Sequence, residues 1–348
     1  MSAVMMSNNA GAARSSGVWA AAWRRLRADK VGMFCMTVVA AFLVLVCLSG
    51  AGLVAAGWQQ ELGVPNAPPS FMGPAPAEAT GAVAQLKGPN VDLSDIDPLA
   101  PRYKEWEERA RQFKTTATVK AGTLPLGGDR LGRDVLAKVI KGAEVSILVG
   151  VLAALVATLI GTVLGALSGF FGGKLGDLLE WVYNVFTAIP SILLIFAFAV
   201  IFGRGVMSVV MILGLAGWPG IYRLIRAEFM KHSMREYVRS AEAIGASRMS
   251  RMFKHILPNV SHVALVQLSL HVVSFIKSEV ILSYLGLGVS VDQVSWGTML
   301  SEAQGELILG YWWQLAAVTL FMAVFVTAFA LFTDALRDAL DPKLRGLE

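Results

Sequence analysis

Two charged residues, Lys277 and Glu279, stand inside the apolar run 263–287. Its Val, Leu, Ile and Phe residues contribute about −0.3 to −0.6 kcal/mol each to membrane insertion, whereas a central Lys or Asp-like charge costs about +2.5 to +3.5 kcal/mol. Both side chains must therefore face protein or water, as candidates for a translocation pathway or gate. Two positions apart on a helix, they point in different directions and do not form a default ion pair. Glu279 either lines such a pathway or makes a structural hydrogen bond near the outer end of its helix.

Residues that make and break bonds are poorly placed for it. His232, His255, His262 and His271 are scattered without ligand spacing, and no metal cluster or nucleophile constellation can be read. The nearest approach to a phosphate loop, GFFGGK at 169–174, has the wrong spacing and abuts an apolar span. The sequence therefore predicts no catalytic residue, no metal and no cofactor in this chain, and no ATP hydrolysis by it. Cys35 and Cys47 lie twelve residues apart on one expected helix, about 18 Å by helical rise, so they cannot pair with each other.

The elements that must carry these residues are membrane helices. Hydrophobic residues make up 55% of the 348, and the mean hydropathy is +0.59, which excludes an ordinary soluble enzyme. Windows long enough to cross a hydrocarbon core of about 30 Å predict six spans, at 31–57, 144–171, 177–203, 206–222, 263–287 and 311–334. Gly203-Arg204-Gly205 makes the third and fourth an antiparallel hairpin. The first apolar run, about 27 residues, is longer than the roughly 7–15 of a signal peptide and is expected to remain as an anchor.

Basic residues set the orientation. Arg14, Arg24, Arg25, Arg27 and Lys30 place the tail 1–30 in the cytoplasm, and eight further Lys and Arg residues do the same for 223–262. The loop 288–310 has no Lys or Arg and belongs outside, as does 58–143, while 335–348 returns to the cytoplasm. This bias accounts for the net charge of +5 without nucleic acid as a partner. In the external region, 63–89 is rich in proline and glycine and reads as an extended linker. A helix opening at Pro98 with Asp97 as its cap carries Tyr103, Trp106, Ala110 and Phe113 at helical spacing. Leu131, Val135 and Val139, with Asp129, Arg133, Asp134 and Lys138 around them, predict a second amphipathic helix lying in the outer interface.

Small residues mark close packing. Gly161, Gly165 and Gly169 repeat on one face of the second span, fitting either tight packing inside the subunit or an interface with another subunit or gate. The cytoplasmic segment EYVRSAEAIGASRMSRMFKHILP, 236–258, pairs a glycine with a proline thirteen residues later. It reads as a short helix, a hinge and a stop at Pro258, or alternatively as a basic helix lying on anionic lipid.

Several stretches together resemble the membrane permease subunits of bacterial ABC importers for di- and oligopeptides: PLGGDRLGRDVL at 125–136, EYVRSAEAIGASRMSRMFKHILPN at 236–259, SYLGLG at 283–288, SWGTML at 295–300 and DALRDALDPKLRG at 334–346. The resemblance covers most of 125–348. It implies an all-α integral membrane protein of six transmembrane helices with the type I ABC importer permease fold, here with an enlarged external loop between helices 1 and 2. The segment 223–262 would be the EAA loop, whose coupling helix enters a groove on an ATPase subunit. Counting back from Gly245, the Glu-Ala-Ala positions hold Arg239, Ser240 and Ala241, and His255 takes a later isoleucine position before Leu257-Pro258.

In that reading Ala241, Ala243, Gly245 and Ala246 keep the coupling helix slim, Arg235, Glu236, Arg239 and Glu242 lie along its rim, and Pro258 ends the segment. The implied partners are a second homologous permease, two ATP-binding subunits that carry ATP and Mg, an external substrate-binding protein and membrane lipid. The implied cargo is peptides, with nickel, glutathione or another small solute as alternatives. An ion-coupled secondary transporter using Lys277 and Glu279 is the reading from another class, and a structural scaffold a third.

Overall fold

The computed structural model describes residues 18–74, 98–99, 102–112 and 120–340. Helix α1 (Val18–Ala28) leads to Asp29, whose carboxylate accepts a 3.0 Å bond from the Val31 N–H and starts α2 (Lys30–Gly50). Satisfying an otherwise orphaned N–H in this way is the usual role of an Asp cap. The helix ends seven residues before the expected limit of 57, because 51–57 turn, with Gly52 at φ 72°. Cys35 is buried, Cys47 is exposed and both are free.

The short helix α3 (Tyr103–Gln112) begins five residues after Pro98, and Asp97 and Phe113 lie outside the described residues. The expected interfacial helix at 131–139 is instead the first turns of one long helix, α4 (Val135–Phe171), capped by Asp134. Val135 and Val139 are fully buried as expected, but Leu131 is exposed ahead of the helix, and Asp129 and Lys138, expected away from the apolar side, are buried. Partners for the charge make that burial possible.

The expected third span is broken. Helices α5 (Gly173–Ala188) and α6 (Ser191–Phe202) meet at 91°. Pro190 has no N–H to continue the helix and forces Ile189 into an extended conformation, φ −94° and ψ 130°. After Gly203 and Gly205, α7 (Val206–Ser233) runs eleven residues beyond the expected end at 222, past an internal Pro219.

The chain then forms α8 (Glu236–Ala243), the single turn α9 (Arg248–Ser250), a π-helical turn (Arg251–Ile256) and α10 (Leu257–Tyr284). The loop 288–310 contains α11 (Trp296–Ile308), opened by a reciprocal Ser295–Thr298 capping box. Helix α12 (Trp313–Leu340) passes the expected end at 334, and 341–348 lie outside the described residues. Among the described residues five helices are long and apolar enough to cross a membrane, or six if the bent α5–α6 pair is one span.

Helix α4 is the centre of the bundle and lies closest to α7. An added Cβ at Gly161 would sit 2.7 Å from the Ile221 Cβ, at Gly165 2.7 Å from the Tyr222 carbonyl oxygen and at Gly169 2.5 Å from the Arg226 carbonyl oxygen. These glycines thus pack two helices of the same chain, the first of the two expected roles. Helices α2, α10 and α12 surround α4, where Phe325 packs against Phe42 and Trp296 at ring distances of 5.2 and 6.1 Å.

The stretch expected as a linker is partly structured. Gly63 bridges Ala121, Pro69 bridges Leu124 and Glu61 bridges Arg133, with Ala67 fully buried beneath them. Proline and glycine exclude regular helix here, yet backbone pairing with 121–133 lets the segment pack. Residues 75–97 lie outside the described residues.

Candidate functional site

The segment 236–258 is rooted in its own subunit. Val238 of α8 is buried on a small core that includes Ile221, Ile225 and Phe229 of α7, and Met252, Ile256 and Val260 beyond, and Ala241 is buried too. Ala241, expected among the residues facing a partner, therefore faces inward. Arg235, Glu236, Arg239, Glu242, Ala243 and Gly245 are on the exposed side, and Ala246 is half-buried. The most exposed apolar residue there is Ile244, at 86%, followed by Met249 and Phe253, both at 51%. An apolar tip on a polar segment suits insertion into a protein groove.

Gly245 has a different job from the slimness expected of it. Its φ of +87° and the bonds Gly245 N–H to Glu242 carbonyl (2.9 Å) and Ala246 N–H to Ala241 carbonyl (2.9 Å) form a Schellman stop for α8. Glu242 is tied back by Arg251 at 2.6 Å, and the same guanidinium lies 5.9 Å from the Phe170 ring. His232 Nδ1 and the Tyr237 hydroxyl, 2.8 Å apart, join the end of α7 to α8. Pro258 does not end the segment: the π turn widens the helix ahead of it, with Leu257 N–H bonding to Met252, and α10 continues through the proline. At the root, Arg226 pairs with Glu180 of α5 at 3.1 Å, and its Nε donates to Ser168 of α4 at 3.0 Å.

Glu279 and Lys277 part company in the structure. Glu279 is fully buried, accepting 2.6 Å bonds from Ser146 of α4 and Ser283 of α10, while the Ser146 oxygen accepts the Trp296 N–H of α11 at 3.1 Å. It lines no open passage, and of its two expected roles the structural one fits. Lys277 is exposed on the opposite side of α10.

A second buried polar cluster joins Asp129 and Arg133 to α4 and α11. Lys138 Nζ contacts Asp129 at 2.7 Å and also Glu302, and Arg133 meets Asp129 at 2.6 Å. Burial pushes the Asp129 carboxyl up, but Lys138 and Arg133 outweigh it and hold the group below its ordinary value. Nearby, Glu306 accepts the Arg130 N–H at 3.0 Å, and burial raises its carboxyl above the ordinary value.

Comparison with known proteins joins these features. The family described as binding-protein-dependent transport system inner membrane component matches residues 161–346, which include the whole of 236–258. The chain belongs to this family. It is a permease of multi-pass, all-helical architecture in the inner membrane. The oligopeptide transport system permease protein OppC of Bacillus subtilis is 35% identical over 252 residues, covering 71% of this chain and 81% of that protein. The di/tripeptide permease DppC of Pseudomonas aeruginosa is 37% identical over 221 residues, 64% of this chain and 73% of its own. The dipeptide permease DppC of Lactococcus lactis is 27% identical over 322 residues, 92% of this chain and 90% of its own. Among solved structures, the MetNI methionine ABC transporter in an inward-facing form is similar at TM-score 0.48 and 18% identity, over 60% of this chain and 96% of that one.

The permease also holds site residues that sequence reasoning passed over. Arg251 was one basic residue among many, and its i+9 separation from Glu242 crosses a turn that no single helical period predicts. Ser146 meets Glu279 across a separation of 133 residues, and the Trp296 N–H reaches Ser146 across 150, which periodicity cannot show. Serines recurring near the acidic residue were the available signal: Ser283 lies one helical turn from Glu279.

Proposed function

We infer that this permease is the membrane-spanning subunit of an ATP-driven importer that moves di- and oligopeptides across the bacterial inner membrane. The observation that carries the reading is the identity of 35–37% to permeases of oligopeptide, dipeptide and di/tripeptide systems. Glutathione permeases, such as GsiD of Shigella flexneri at 37% over 222 residues, favour glutathione as a second cargo.

In this reading the chain works with a second, homologous permease, two ATP-binding subunits and an external binding protein, all within membrane lipid and without nucleic acid. ATP and Mg act on the partner subunits; this chain is not an enzyme and holds no cofactor. Both termini and the segment 223–262 face the cytoplasm, and the 58–134 region with α11 faces outward, as the distribution of basic residues supports. The exposed tip around Ile244 enters a groove of the ATPase. When ATP closes the ATPase pair, the tip moves, and the load passes through the Val238 contacts into the roots of α7 and α10. The Arg226–Glu180 pair extends that path to the bent α5–α6 pair. Alternating access follows from rearrangement of these helices.

Reconstitution of the complete complex in proteoliposomes tests the reading. ATP-dependent, binding-protein-dependent accumulation of a labelled di- or tripeptide is expected, and an ion gradient alone should drive none. Uptake driven by a gradient without ATP would establish the secondary-transporter class instead.

A further inference from the structure

Lys277 is a charged side chain on a membrane helix, and the structure gives it no internal answer. Among the described residues it forms no ion pair or hydrogen bond, although the same helix buries Glu279 completely. An ammonium about 10 Å by helical rise from the end of α10 at Tyr284 is expensive against hydrocarbon. Its surroundings are not those of a lipid-facing stripe. Positions 270, 274, 277, 281 and 284 share one exposed face of α10 and comprise Leu270, Ser274, Lys277, Ile281 and Tyr284. Ser278 flanks the lysine, and at the outer end the Tyr284 hydroxyl donates to Gln304 of α11 at 3.0 Å. Hydroxyls, an amide and an ammonium thus punctuate this face from α11 into the depth of α10, with Ile281 between Tyr284 and Lys277, a polar content that suits a water-filled passage better than a lipid contact.

We propose that this face of α10 lines the path taken by the cargo and that Lys277 is a specificity-determining residue whose ammonium receives the carboxylates of passing peptides. The proposal rests on the peptide reading above. Charge complementarity supplies the occupant: a cation with no internal counter-charge, beside hydroxyl groups, is matched by an anionic solute. Such a pair forms in a hydrated passage and stays weak enough to release. A lysine suits it better than a planar guanidinium fork, which holds a carboxylate bidentately.

The test compares uptake of two tripeptides that differ at the middle position, alanyl-glutamyl-alanine and alanyl-lysyl-alanine, by the reconstituted complex carrying wild-type permease, Lys277→Met, Lys277→Arg or Lys277→Glu. The binding protein is identical in all four, so any change in the acidic-to-basic uptake ratio arises in the permease. The ratio is expected to fall roughly fivefold in Lys277→Met, the size of a partly screened charge pair, to fall further in Lys277→Glu and to be kept in Lys277→Arg. If Lys277→Glu does not assemble, the Met and Arg variants decide the matter alone. An unchanged ratio overturns the proposal: equal loss for both peptides means pairing with a carboxylate of the second permease, and no loss for either means that Lys277 reaches the lipid headgroups. Wild-type complex that imports neither peptide refutes the peptide reading itself, a distinct result.

Discussion

Glu279 and Lys277 lie two residues apart on α10 and meet opposite environments, one buried among serines and the other exposed. The Glu279 oxygens are both occupied by serine hydroxyls from α4 and α10, 2.6 Å away. Replacing one oxygen by an amide N–H turns an acceptor toward a donor, and a broken buried hydrogen bond costs about 1–3 kcal/mol. Glu279→Gln should therefore lower the thermal stability of the purified complex while leaving transport per assembled complex unchanged. Normal stability with reduced transport would return this residue to the passage. Glu306 offers a second test through pH. Its carboxyl is raised by burial, so the stability it contributes is fully present below the ordinary value of 4.5 and is lost as pH rises through the higher folded value. Glu306→Gln keeps an oxygen for the Arg130 N–H and removes the charge. It should raise the melting temperature at pH 7 and lose that advantage below about pH 4.5; an equal gain at both pH values would contradict the assignment.

At the scale of elements, the cytoplasmic segment shows why some of the site could be read from sequence and some could not. The alternation of small, charged and apolar residues in 236–258 predicted a short helix, and α8 is a short helix there. Which face it turns inward depends on Ile221, Ile225 and Phe229 of α7, and α7 was expected to stop at 222. The apolar tip at Ile244 was therefore hidden in a count of small residues. Pro258 misled for a related reason, since a π turn lets a helix pass a proline that local rules treat as a stop. The Schellman geometry also changes what Gly245 can test. A bulky residue there would be strained at φ +87° whether the segment touched protein or lipid. Gly245→Ala should cost about 1–2 kcal/mol locally and weaken coupling by loosening the α8 stop, measured as reduced stimulated ATP hydrolysis at normal membrane levels; Gly245→Asn, which tolerates this conformation, should retain more activity. Equal activity in both variants would show that the turn is not under conformational constraint.

For the whole molecule, composition settled the class and the charge bias gave the orientation used above, because both are summed over many residues. The packed unit formed by 61–69 and 121–133 escaped because its order is non-local. Backbone bridges tie 61–69 to 121–133, and the buried Asp129–Lys138–Glu302 cluster ties that unit to α4 and α11. These contacts divide the long external region by function. Replacing 75–119 with a short flexible linker removes α3, whose described side chains are all exposed, and should preserve membrane insertion and assembly. Removing 61–73 should abolish assembly by breaking that packed unit. Complex yield and size-exclusion profiles of the two deletions check this; the reverse pattern would move the structural boundary into the α3 region.

The central claim is that the exposed tip following α8 receives the ATPase stroke, and Ile244 tests it most directly. This side chain is 86% exposed, so replacing it costs the isolated subunit little, yet a charge there cannot enter an apolar groove without loss. The measurement is binding-protein-stimulated ATP hydrolysis and peptide uptake by the reconstituted complex carrying Ile244→Asp. The account predicts normal insertion of the permease, with stimulated hydrolysis and uptake falling together by about tenfold or more, as for a hot-spot residue worth at least ~1.4 kcal/mol. Wild-type levels of both activities in this variant would contradict it.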